Sequence, residues 1–146
     1  MLEEAGVAVG DGPAALADEF QALDATVADI LAAIPEQDRK LVTGHRSLGY
    51  FADRYGFALI GTVIPSLSTS GEPTARELAQ LIEDIKANEV PAVFTEGGTP
   101  RSVAEAVASD SGVALVTLST SQLPDGGTYQ DHIIEIANTV ADALSR

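Results

Sequence analysis

With 146 residues and 45% hydrophobic content, the chain is long enough for one domain with a packed core. It has 22 acidic against 8 basic residues, and its formal net charge of -14 repels nucleic acid and anionic membrane surfaces while it attracts cations. It has no cysteine, which excludes disulfides and thiolate metal ligands.

The start of the chain does not have the composition of a targeting segment. Glu3 and Glu4 stand where a signal peptide would carry lysine or arginine. No apolar run anywhere approaches the roughly 18 residues that span a bilayer. We therefore expect no signal peptide in this chain, no membrane insertion by it and no nucleic-acid partner. A signal for export would lie upstream.

A long amphipathic helix is predicted ahead of the first strand. Gly12-Pro13 opens it, because proline suits the first helical position, and Pro35 ends it. Its apolar stripe runs over about five turns and consists of Leu16, Phe20, Leu23, Val27, Ile30 and Ile34. Such a helix is typical of a brace or a connection between domains. We therefore divide the chain into an N-terminal segment with this helix, residues 1–36, and an α/β lobe, residues 37–146.

Beyond the first helix, short apolar runs alternate with helical patterns. The runs predict strands at residues 41–43, 58–64, 92–95 and 113–118. The helical patterns lie at Ser47 to Arg54, from the capping box of Thr74 and Glu77, from Thr99-Pro100 to Gly112, and from about Thr128 to Ala143. Nearly continuous apolar strands separated by helices predict an α/β fold. We expect a four-stranded parallel sheet with helices on both faces, preceded by one long helix.

The loops that follow the predicted strands contain the candidate site residues. In open parallel sheets, ligands bind beyond the carboxyl ends of the strands. The loops at that edge contain one imidazole and two carboxylates, those of His45, Glu96 and Asp125. This set of groups suits a borderline divalent cation such as Zn²⁺ or Mn²⁺.

Each histidine and carboxylate also has a structural interpretation. His45 is explained as well by a cap on the following helix as by a ligand or catalytic group. Glu96 could be a ligand, a partner that orients a ligand, or a helix cap, and its position favours the last two. Asp125, within Leu-Pro-Asp-Gly-Gly, has the sequence of a plain turn. His132, beside Asp131 at the margin of an apolar stripe, is predicted to be a solvated surface residue.

The sequence lacks the common enzyme motifs. It has no Gly-x-Ser-x-Gly elbow, phosphate loop, dinucleotide glycine fingerprint or His-Glu-x-x-His. Gly97-Gly98 before a helix could hold an anion at its amides, but Glu96 beside it would oppose one. Ser47 near His45 has no placed acid partner and does not make a catalytic pair. We predict that the chain is not an enzyme.

Several motifs resemble, in order, those of the zinc- and manganese-binding periplasmic proteins of ABC importers. Residues 41–52, LVTGHRSLGYFA, resemble that family's V-T-x-H … G-Y-F motif. The remaining motifs are RYGF at 54–57, STSGEPT at 68–74, VFTE at 93–96, and Thr128-Tyr129 with Asn138. The likeness covers nearly the whole chain.

The resemblance implies a protein of two α/β lobes joined by one long rigid helix, with a metal ion held between them. This chain is similar to the C-terminal lobe, and its first helix, with Leu23-Asp24 and Ile34-Pro35, resembles the bridging helix. The full-length protein would be extracytoplasmic, in the periplasm or lipid-anchored at the cell surface. It would deliver Zn²⁺ or Mn²⁺ by docking on an ABC permease.

The resemblance also implies roles for single residues. His45 matches the third metal ligand, and Glu96 matches a glutamate that orients a ligand. The fourth ligand, an aspartate, stands immediately before the Thr-Tyr pair, where this chain has Gly127; the nearest carboxylate is Asp125, two positions earlier.

The other two ligands belong to the missing N-terminal lobe and bridging region. Since a complete structural-type site takes about four protein ligands, we predict weak metal binding, or none, by this chain alone. The alternative is a stand-alone α/β interaction or regulatory module with a decayed metal site.

Overall fold

The structure is a computed structural model that describes residues 12–65, 72–120, 123 and 126–145. Asp125 and residues 66–71, which include the start of the STSGEPT motif, therefore lie outside the described residues. Within the described ranges there are four strands, β1 (Lys40–Thr43), β2 (Ala58–Thr62), β3 (Ala92–Thr95) and β4 (Ala114–Thr117). The same ranges contain five α-helices, α1 (Gly12–Leu31), α2 (Gly49–Tyr55), α3 (Ala75–Ala87), α4 (Arg101–Ser111) and α5 (Tyr129–Leu144). Short 3₁₀ turns occupy Glu36–Asp38 and Arg46–Leu48.

The strands form one parallel sheet in the order β2-β1-β3-β4. One face is covered by α1, α2 and α5, whose apolar side chains pack around Leu41 and Phe94. The other face is covered by α3 and α4, which pack on Val42 and Val93. The predicted fold class is therefore confirmed. Neighbouring residues of one strand supply the two cores because side chains alternate between the faces of a sheet.

The helix ends follow the chemistry of their terminal residues. The capping box of Thr74 and Glu77 opens α3 as predicted, and Gly56 and Gly112 end α2 and α4 with positive φ angles of 72° and 74°. A second capping box, of Thr128 and Asp131, opens α5. Within the described residues, no helix is both long and apolar enough to cross a bilayer.

Only half of the stripe predicted on α1 is covered. Leu23, Val27 and Ile34 are buried, whereas Leu16 and Phe20 are exposed. The 20 residues of α1 extend about 30 Å, and strands of four or five residues extend only about 13–17 Å. Because the C-terminal end of α1 leads into the start of β1, its N-terminal half projects past the edge at which the strands end, here called the carboxyl edge.

Two polar contacts fix α1 to the lobe. Arg54 of α2 forms a bidentate pair with Asp24, with its Nε 2.8 Å from Oδ1, and the Tyr55 hydroxyl donates to the same oxygen over 3.1 Å. Arg39 donates to the carbonyl groups of Leu31 and Ile34, and also to that of Tyr55, over 3.2–3.4 Å. Its guanidinium thus satisfies carbonyls that both α1 and α2 leave free at their C-terminal ends.

His132 is not the surface residue that the sequence predicted. It lies on α5 with 6% of its surface exposed, and its Nδ1 has no hydrogen-bond partner in the described part of the chain. The position lies one helical turn before Ile136, which is buried on the same face of α5. The prediction was wrong because Asp131 belongs to the capping box of α5 and does not mark a solvated face of the helix.

Candidate metal-binding site

The Glu96 carboxylate joins the turn after β1 to the end of β3. It follows β3 directly and is 4% exposed. Its Oε1 accepts from the His45 amide over 2.8 Å and from the Ser47 hydroxyl over 2.7 Å, while Oε2 accepts from the Gly44 amide over 3.3 Å. Hydrogen bonds to a charged acceptor are among the stronger ones in proteins, so the buried carboxylate fixes the backbone on either side of His45.

The His45 side chain is 16% exposed, and its two ring nitrogens have different surroundings. Nδ1 lies 3.3 Å from Glu96 Oε1 and 3.2 Å from Thr99 Oγ1. Nε2 is buried and has no hydrogen-bond partner among the described residues. A carboxylate beside Nδ1 favours the tautomer with the proton on Nδ1, which leaves the Nε2 lone pair free to bind a cation.

Two glycines let the turns after β1 and β3 approach each other. A Cβ atom on Gly44 would lie 2.0 Å from Thr99 Oγ1 and 3.2 Å from Glu96 Oε2. Gly98 has a φ of 95°, and a Cβ atom there would lie 3.4 Å from His45 Cε1 and 3.6 Å from Nε2. The site therefore requires glycine at Gly44 for space and at Gly98 for its backbone conformation.

The structure brings together two of the three predicted site residues, His45 and Glu96, in hydrogen-bond contact. The third, Asp125, lies outside the described residues. Within the described ranges no three histidine, aspartate or glutamate side chains form a group that could hold a metal ion. Sequence reasoning missed Ser47 and Thr99 as hydrogen-bonding partners in the site; the place of Thr99 just after Glu96-Gly97-Gly98 puts it in the loop beyond β3 but does not indicate its contact with His45.

Exposed apolar side chains surround the carboxyl edge. Among the described residues, the large hydrophobic side chains that are exposed are Leu16, Phe20, Tyr50, Leu123 and Tyr129. Tyr50 and Tyr129 begin helices that follow strands, and Leu123 lies between β4 and α5. The ring of Phe20 contacts that of Tyr129 edge-on at a centroid distance of 6.1 Å, so α1 also reaches this edge. We call these five residues the apolar rim.

A family model described as "ZnuA: Zinc-uptake complex component A periplasmic" matches residues 11–143. The chain belongs to this family. This agrees with the family resemblance seen in the sequence motifs.

Individual relatives are similar in sequence or structure to most of the chain. The manganese-binding lipoprotein MntA of Halalkalibacterium halodurans is 32% identical over 133 residues, which cover 88% of this chain and 44% of that protein. The zinc-binding protein TroA of Treponema pallidum is 29% identical over 138 residues, with 88% and 44% covered. The solved structure of TroA from Treponema pallidum matches with a TM-score of 0.76 and 28% identity, covering 90% of this chain and 50% of that one. The chain thus spans about half the length of the relatives it matches.

Proposed function

We propose that the chain is the C-terminal lobe of an extracytoplasmic solute-binding protein that carries Zn²⁺ or Mn²⁺ to an ABC importer, and that it is not an enzyme. The proposal rests on the surroundings of the two ring nitrogens of His45. Its Nδ1 lies within hydrogen-bond distance of Glu96, and its buried Nε2 has no partner in the described part of the chain. A buried polar atom without a partner costs about 1–3 kcal/mol, which binding of a cation at Nε2 would offset.

The chemistry of the donors supports a transition-metal ion as the transported substrate. Neutral imidazole is a common ligand of zinc, carboxylates suit manganese, and a carboxylate on the other imidazole nitrogen orients a metal-binding ring. Relatives are named as manganese-binding and zinc-binding proteins. The net charge of -14 favours the approach of a cation to the whole lobe.

The carboxyl edge supports the assignment as one lobe of a larger protein. The apolar rim lies at the same edge as His45, and exposed apolar clusters of this kind are typical of surfaces that another protein body covers. The projecting half of α1 begins there, so an upstream lobe would emerge beside His45.

The proposal has two further parts. They are the division of the chain into residues 1–36 and 37–146, and the role of Asp125 as a further metal ligand. An upstream lobe would supply the remaining ligands, so this chain alone should bind metal weakly.

The test is a titration of this chain with Zn²⁺ or Mn²⁺, followed by calorimetry, alongside His45→Ala. The matched control is His132→Leu, because the chain has two histidines and the control leaves only His45. We expect weak binding that His45→Ala abolishes and His132→Leu retains. Equal binding by the wild type and His45→Ala would remove His45 from the site. Micromolar or tighter binding that depends on His45 would overturn the prediction of weak binding.

A further inference from the structure

We propose that Thr99 is a positioning residue for His45. Its hydroxyl and the Glu96 carboxylate together hold Nδ1 of the imidazole, so that Nε2 points in one direction. The inference rests on the proposed function, because it concerns how the same imidazole is presented to a metal ion. Thr99 Oγ1 lies 3.2 Å from Nδ1, slightly nearer than Glu96 Oε1 at 3.3 Å.

Glu96 alone is a weak restraint on the ring. Its Oε1 already accepts two shorter hydrogen bonds, from the His45 amide at 2.8 Å and from the Ser47 hydroxyl at 2.7 Å. The imidazole contact is the longest of the three at this oxygen. A single long hydrogen bond at Nδ1 leaves the ring free to tilt about that contact. A second acceptor at the same N–H restrains the tilt, and bonds shared between two acceptors are common in proteins.

The position of the Thr99 hydroxyl is itself well determined. The Thr99 amide donates to the Glu96 carbonyl over 3.2 Å, which closes the turn between β3 and α4. The hydroxyl lies where a side chain at position 44 would have to be, since a Cβ atom on Gly44 would come within 2.0 Å of it. A Cβ atom on Gly98 would lie 3.4 Å from Cε1 and 3.6 Å from Nε2 of the same ring. The turn after β3 therefore contacts the imidazole at Nδ1 and leaves no room for a side chain beside Nε2 without close packing.

The variant that tests the role is Thr99→Val, which keeps the shape of the side chain and removes the oxygen. Thr99→Ser keeps the oxygen and should rescue the effect. Thr139→Val is the matched control, because the Thr139 hydroxyl donates to the Glu135 carbonyl over 2.9 Å at the exposed surface of α5. Thermal unfolding of each variant reports its folding. If Thr99→Val fails to fold, the comparison of Thr99→Ala with Thr99→Ser takes its place.

Two readouts are measured on the whole chain. The first is the ¹⁵N spectrum of the His45 ring without metal, in which the wild type should show a protonated Nδ1 and an unprotonated Nε2. In Thr99→Val the two ¹⁵N shifts should move toward each other as the tautomers exchange, and in Thr99→Ser they should not. The second is the dissociation constant for Zn²⁺, which should rise on the order of tenfold in Thr99→Val, as for other partners that orient a metal-binding histidine.

The outcomes separate this inference from the proposed function. If Thr99→Val matches the wild type in both readouts, while His45→Ala abolishes Zn²⁺ binding, the role of Thr99 is wrong and the proposed function stands. If His45→Ala binds Zn²⁺ as the wild type does, the proposed function fails. In that case the ¹⁵N spectrum still decides whether Thr99 orients the ring.

Discussion

At the scale of single residues, Glu96 shows how the donors of one turn can surround a buried carboxylate. Amide and hydroxyl donors of Gly44, His45 and Ser47 bind its oxygens. These donors belong to one short turn, so the carboxylate determines the conformation of that turn and the place of the His45 ring. In the proposed site, Glu96 would act by orienting that ring.

Gly98 offers a test of how closely the ring is packed. In Gly98→Ala the positive φ of 95° becomes strained, and the new Cβ atom lies 3.6 Å from His45 Nε2. We expect a loss of about 1–2 kcal/mol in the free energy of unfolding, together with weaker Zn²⁺ binding, on the order of tenfold. Urea denaturation and calorimetry measure the two effects.

Gly112→Ala is the control for backbone strain. Gly112 has a φ of 74° and no neighbouring atom within 4 Å of an added Cβ. It should lose a similar amount of stability and retain the wild-type affinity for Zn²⁺. A parallel loss of affinity in both variants would show that general destabilisation, and not contact with the ring, weakens binding.

The sequence indicated His45 and Glu96 because both lie within two residues of the end of a predicted buried strand. It did not allow Thr99 to be chosen, because its role depends on the distance between two turns that are more than 50 residues apart in the chain. The closeness of these turns results from Gly44, where any side chain would collide with Thr99. Such a steric relation becomes visible only when both turns have coordinates.

At the scale of the elements, the attachment of α1 has a definite dependence on pH. Hydrogen bonding with Arg54 lowers the pKa of Asp24, and the Tyr55 hydroxyl acts in the same direction. Because the folded-state pKa lies below the unfolded value, the ionised pair stabilises the fold above the unfolded pKa. That contribution is lost as the pH falls through the folded pKa.

We therefore expect Asp24→Asn to be less stable than the wild type at pH 6, and the difference to shrink as the pH is lowered toward 3. Thermal unfolding across this range measures it, and comparing the two proteins cancels the titration of the other carboxylates. In an Arg54→Ala background the pH-dependent effect of Asp24→Asn should be smaller, because only the Tyr55 hydroxyl then remains to lower the pKa of Asp24. A difference that stays constant with pH would show that the ion pair contributes nothing.

The helices and strands were predicted well where local chemistry decides their ends. The capping box of Thr74 and Glu77 is one example and Gly112 is another, since each satisfies or permits a helix terminus by itself. The capping box of α5 was missed because its third residue is Asp131 rather than glutamate or glutamine. On α1, the apolar stripe predicted the helix correctly but could not tell which part of it the lobe covers.

At the scale of the whole molecule, the carboxyl edge of the sheet combines several features. The apolar rim lies at the carboxyl edge, together with the candidate site and the projecting half of α1. An alternation of strands and helices predicts the sheet and its two covered faces. It does not predict what covers the carboxyl edge, because the covering protein body need not be encoded in the same stretch of sequence.

Tyrosine nitration tests whether this edge is an interface. Tyr50 is 92% exposed and Tyr129 is 51% exposed, whereas Tyr55 is partly buried and hydrogen-bonded to Asp24. In this chain we expect tetranitromethane to modify Tyr50 and Tyr129 faster than Tyr55. In a longer chain with an upstream lobe, Tyr50 and Tyr129 should become protected while Tyr55 is unchanged. Continued rapid modification of both would mean that the lobe does not cover the edge.

The projecting half of α1 would be packed more fully if another protein body covered the carboxyl edge. The first buried contact of α1 is at Leu23, so about 11 residues of the helix precede it. Because these residues extend a helix whose C-terminal half is already packed on the lobe, they need no new nucleation, which is the costly step of helix formation. An upstream lobe that covered Leu16 and Phe20 would add packing to this half, so that docking at the carboxyl edge and suppression of fraying at the end of the helix would favour each other.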